Sequence, residues 1–188
     1  MKTALVIALL ALVVVSALLL ARRAGAASQA GQEKKGGVAA AMRQRILSSS
    51  PEQVGVAVPK TANGVWGLVM DMGFDGGAAT LVALIDGNAS LYIGEQSGII
   101  GGFAHEPVRL AATAAVIAAE VPAGSFGPSK IEPLPANGLV RFYALSRKGL
   151  VASDVVPADK LAGGGHPLSP LFAAANEVIT QLRVTSGK

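Results

Sequence analysis

The 188-residue chain is 51% apolar, with 4% aromatic and 15% charged residues and no cysteine. Its length suits one domain with a little to spare; the missing thiol excludes a disulfide framework, a thiolate metal site and a cysteine nucleophile, and low charge with plentiful Val, Leu and Ile excludes a wholly disordered chain. The formal charge of +4 is unevenly placed: up to residue 45, Lys2, Arg22, Arg23, Lys34, Lys35, Arg43 and Arg45 face Glu33 alone, whereas the remainder carries nine basic and eleven acidic side chains, which disfavours the basic face that phosphate binding needs.

Thr3 to Ala21 carries no charge over 19 residues. As a helix it would be about 28 Å long against a hydrocarbon core of about 30 Å, so it is expected to be an N-terminal transmembrane helix. Ala24-Gly25-Ala26 offers the alternative of a cleaved signal peptide, but Arg22 and Arg23 directly behind the apolar run favour a retained anchor. The excess of basic residues on its C-terminal side places the following domain in the cytoplasm. The expected location is therefore the cell membrane, with export after cleavage as the alternative. The lipid bilayer is one expected partner.

Residues 1–23 thus read as the anchor and 24–64 as a basic flexible linker. Ala24 to Gly37 is small, polar and Gly-rich. Val38 to Leu47 has the spacing of a short juxtamembrane helix, ended by Ser48-Ser49-Ser50-Pro51. The folded unit is expected over 65–188.

Val65 to Met72 reads as a strand, Gly73 to Gly77 as a turn, and Thr80 to Ile85 as a central strand because it is apolar on both faces. Asp86-Gly87-Asn88 is a hairpin signal, followed by a strand over Ala89 to Glu95. Gly98 to Gly102 ends this meander. A helix over Pro107 to Val121 opens on a proline suited to the first turn, and its many alanines allow close approach to a sheet. Residues 122–137 form a long loop. Leu139 to Ser146 and Leu150 to Val156 make a second hairpin across Arg147-Lys148-Gly149. After a loop with three successive glycines, Ser169 and Pro170 suit a helix start, with a stripe of Leu171, Ala174, Ala175, Val178, Ile179 and Leu182. The order βββ-α-ββ-α predicts an α+β domain: an antiparallel sheet of about five strands with helices on one face.

The stretches VWGLVMDMG (65–73), TLVALIDGNASLYIG (80–94), GIIGGFAHEPVR (98–109), LVRFYALSRKG (139–149) and HPLSPLFAAANEVITQLR (166–183) resemble a family of small bacterial α+β proteins of uncharacterised function. That resemblance spans residues 65–183 and implies no activity and no binding residues. The element order is more loosely similar to roadblock, longin and profilin-like folds, except that three strands precede the helix here. This likeness implies a non-catalytic adaptor working through protein contacts.

His105 and His166 both stand in Gly-rich turns that lead into helices. If the two helices start on one sheet edge, His105, Glu106 and His166 converge as a ligand-binding or acid–base site; the plain alternative is that each histidine fills its own loop. GIIGG fits neither phosphate fingerprint and reads as a tight bend. Asp75 and Asp86 lie in turns where Asp accepts local backbone hydrogen bonds, and Asp71 joins them only by type. Ser169 is explained as a helix cap, and Trp66, Tyr92, Phe142 and Tyr143 as core or sheet residues. No catalytic set, metal site or cofactor is assigned. The leading expectation is a non-catalytic module that binds another protein or itself. The alternative is a small-ligand or metal-dependent enzyme domain built on the loops around His105 and His166.

Overall fold

In a computed structural model describing residues 37–94 and 97–187, the apolar runs pair into one antiparallel sheet. β1 (Gly67–Phe74) and β2 (Gly77–Leu84) are joined by Asp75-Gly76. Gly76 has φ +78°, a left-handed conformation that glycine adopts without steric cost. β3 (Ala89–Ile93) follows across Asp86-Gly87-Asn88, where the Asp86 Oδ1 accepts from the Asn88 N–H at 3.0 Å. β4 (Ser97–Ile100) continues the meander to the sheet edge. After a short 3-10 turn at Gly102–Ala104, α3 runs over Glu106–Ala123, preceded in the chain by α1 (Val38–Leu47) and α2 (Pro51–Val54). Then come β5 (Gly127–Pro128), β6 (Leu139–Ser146), β7 (Gly149–Ala152), β8 (Val156–Pro157), α4 (Ala158–Ala162) and α5 (Ser169–Ser186). The sheet order is β4-β3-β2-β1-β6-β7-β5, with β8 also paired to β6.

The fold class is α+β, but its expected description needs three corrections. The sheet has eight strands instead of about five. Two pieces, β4 and β5, are additions of four and two residues, and the expected strand Leu150 to Val156 is divided into β7 and the two-residue β8. Such pieces are too short to show the period-two alternation by which a strand is read. Helical cover lies on both faces instead of one. Among the described residues, no helix is long and apolar enough to cross a membrane; the span expected at Thr3 to Ala21 lies outside them.

Alternation along the strands sorts the core into two layers. Leu68, Met70, Leu81, Ala83, Phe142 and Ala144 point to one face, where they meet α3 and α5. Fully buried Ala112, Ala115 and Ala119 let α3 approach closely. On the other face Trp66, Val69, Val82, Leu84, Tyr143 and Leu145 are covered by Leu47, Val56 and neighbouring residues of the segment 46–58. The folded unit therefore begins at Val38, not near Val65. Residues 38–58, read as part of a flexible linker, form the second cover. Within them Ser50 caps α2 in a reciprocal capping box with Gln53.

Candidate functional site

The second face is fastened by charge. Asp71 is fully buried in the middle of β1, flanked across the sheet by Thr80 on β2 and Arg141 on β6. Arg43, on α1, is 8% exposed. It donates to Asp71 Oδ2 from Nε at 2.8 Å and from Nη2 at 2.6 Å. The same Nη2 donates to the Glu132 carbonyl at 2.8 Å and lies 3.1 Å from the Tyr143 hydroxyl. Thr80 Oγ1 donates to Asp71 Oδ1 at 2.6 Å. Burial works against the Arg43 charge, but the Asp71 carboxylate beside it outweighs this and raises its pKa above the usual arginine value. Every buried polar side-chain atom described has a partner, so this is a satisfied structural network with no group left over for chemistry. In the sequence Arg43 reads as one of the basic residues that set membrane topology. The signal that could have found the pair is Asp71 itself, a lone carboxylate inside an apolar strand that needs a buried cation.

The expected convergence of His105, Glu106 and His166 does not occur. It required α3 and α5 to start on the same edge, and they run antiparallel. Gly102, just before α3, packs so tightly that a Cβ there would stand 2.8 Å from Leu182, near the end of α5. At the opposite end Val121 and Pro122 of α3 share a cleft with His166 and Leu168. The two histidines are therefore separated by about the length of α3, roughly 27 Å for its 18 residues. His105 and Glu106 are exposed. His105 is the N-cap residue of α3 without a side-chain capping bond, and Phe103 and Arg109 stack beside it with the guanidinium 5.6 Å from the ring centroid. Among the described residues, no group of three or more His, Asp or Glu side chains is placed to hold a metal ion.

His166 does line a cleft, of about 640 Å³, with Val121, Phe126, Val156 and Leu168 as apolar wall. Its Nδ1 accepts from the Leu168 N–H at 3.1 Å. The neutral ring consequently carries its proton on Nε2, which is left as a donor. Glu132, Arg141 and Asp154 line the same cleft. Ser169, expected as the N-cap of α5, is instead its first residue, and its Oγ accepts from the His166 N–H at 3.3 Å. Arg141 and His166 lie on different elements far apart in the chain, so no local pattern connects them.

Opposite the core, α3 shows an apolar face. Leu110, Ile117 and Val121 are 64%, 62% and 83% exposed, with exposed Ala114 between them. Near its C-terminal end Glu120 ties α3 to the segment before β1. Its carboxylate accepts from the Asn63 N–H at 2.6 Å and the Val65 N–H at 3.0 Å. Burial opposes its charge, but these bonds, helped by the Thr61 hydroxyl and the Gly64 N–H, hold its pKa below the usual carboxylate value.

Comparison with protein-family models, curated proteins and solved structures found no match. Neither resemblance noted for residues 65–183 gains support from it.

Proposed function

We propose that the chain is a membrane-attached, non-catalytic protein-interaction module whose α3 face pairs with a second copy of itself. The exposed stripe on α3 carries this reading. Leu110, Ala114, Ile117 and Val121 are spaced four, three and four residues apart, the spacing of a seam along which one helix packs on another. The stripe contains no charge, so two copies can meet without like-charge repulsion. Antiparallel pairing about a two-fold axis between Ala114 and Ile117 brings Leu110 against Val121 and Ala114 against Ile117. Each large side chain then meets a smaller one, a self-complementary arrangement of the kind two-fold interfaces require. Attachment to the cell membrane, with the domain on the cytoplasmic side, rests on the uncharged segment Thr3 to Ala21 and the basic residues behind it.

The test is the mass of the detergent-solubilised full chain by light scattering, with and without Ile117→Asp. A dimer that becomes a monomer in the variant supports the reading; a monomeric parent, or a dimer indifferent to the substitution, overturns it. Protection of a C-terminal tag from protease in intact spheroplasts tests the orientation separately.

A further inference from the structure

We infer that the cleft beside His166 binds a small zwitterion of amino-acid or dipeptide type with an apolar side chain. The inference rests on the charged groups of the cleft and not on pairing along the α3 stripe, whose last residue, Val121, also lines the cleft.

The cleft volume, about 640 Å³, falls in the range of small-molecule sites, on the order of 300–1,000 Å³. Its lining combines two kinds of surface. One is apolar, led by Phe126, Val156 and Leu168. The other carries opposite charges that do not neutralise one another. Arg141 is half-buried, and its guanidinium makes no hydrogen bond or ion pair with any described residue; the ion pair found among those residues is Arg43 with Asp71. Glu132 and Asp154 line the same cleft, also without an ion pair to Arg141. An arginine fork matches a carboxylate, with two parallel N–H donors for its two oxygens, and the His166 Nε2–H adds a neutral donor. The carboxylates of Glu132 and Asp154 accept from an ammonium group. A ligand with a single negative charge would satisfy Arg141 and leave the acids unmatched, whereas a zwitterion answers both sets, and its apolar side chain faces the apolar wall. Specificity of this kind comes from leaving no charged group of the site unpaired.

The experiment is calorimetric titration of the detergent-solubilised full chain with leucine and leucyl-leucine, beside N-acetyl-leucine and leucinamide, which each lack one charge. The expected result is binding of at least one zwitterion and a loss of about tenfold or more, equivalent to roughly 1.4 kcal/mol, when either end is blocked. Arg141→Gln should weaken leucine and erase its advantage over leucinamide. Asp154→Asn, at an exposed loop position, should weaken leucine while leaving N-acetyl-leucine unchanged, and it guards against a folding defect in the Arg141 variant. No binding of any probe at about 10 mM, well above the weak 1 mM end of the affinity scale, overturns the inference. So does equal binding of charged and blocked forms, or a folded Asp154→Asn chain with unaltered preference.

Discussion

The two faces of the sheet are covered by different means. Against α3 and α5 the buried core of the contact is apolar, with small alanines on the helix and Leu68, Met70, Leu81 and Phe142 on the strands. Against α1 the apolar contribution is thin. Of the ten residues VAAAMRQRIL, only Arg43 and Leu47 are buried, and the helix is located by the bonds Arg43 makes to Asp71, Glu132 and Tyr143. Shape holds the first face. On the second, a buried charge pair gives α1 one permitted position. Such a pair acts through the penalty for breaking it more than through its net gain, because desolvation cancels most of the attraction.

The comparison breaks most readily at Asp71. Asp71→Ala leaves the Arg43 cation buried without its carboxylate and is expected to cost about 3–5 kcal/mol of stability in urea denaturation. Arg43→Met combined with Asp71→Leu should recover most of that loss, since no unpaired charge remains buried. If both variants lose equally, the pair contributes through attraction and the contrast between the faces is mistaken. On the apolar face, Ala115 is fully buried. Ala115→Leu forces extra volume between α3 and the sheet, with an expected cost of about 1–3 kcal/mol. A neutral result there would mean that the helix is free to shift, and that shape does not hold this face. The smallest effect is at Glu120. Its folded pKa lies below the usual carboxylate value, so its contribution is present above the unfolded pKa and is lost as pH falls through the lowered folded value. Glu120→Gln should therefore flatten the loss of stability below about pH 4.5 relative to the parent, as followed by thermal melting across an acid series. Unchanged acid sensitivity would show that the carboxylate does not tie α3 to residues 63–65.

Much of the domain was legible because its signals are local. The turn expected over Gly73 to Gly77 closes more tightly, at Asp75-Gly76, and those at Asp86-Gly87-Asn88 and Arg147-Lys148-Gly149 likewise follow from turn chemistry. Of the stripe Leu171, Ala174, Ala175, Val178, Ile179 and Leu182 that helical spacing predicts, Ala174 and Ile179 are half-buried and the other four buried. The places where the reading departed from the structure depend on distant partners. Residues 38–58 read as linker with one short helix over Val38 to Leu47, because Ala- and Arg-rich segments cover little apolar area by themselves. Their place on the sheet depends on Asp71, 28 positions after Arg43. The candidate site divided for a similar reason. His105 and His166 share a local context, a glycine-rich turn before a helix, and that context does not report which end of the sheet each turn occupies.

By itself the sequence determined the class of the domain, the central strands and their hairpins, and the two long helices, since each follows from side-chain period and turn residues within a short window. Tertiary structure alone decided the antiparallel course of α3 and α5, which separates the two histidines. It also decided the partnership of Arg43 with Asp71 and the meeting of His166 with Arg141, Glu132 and Asp154 in one cleft. These depend on which elements become neighbours, a choice made by burial over the whole sheet at once that no local window contains.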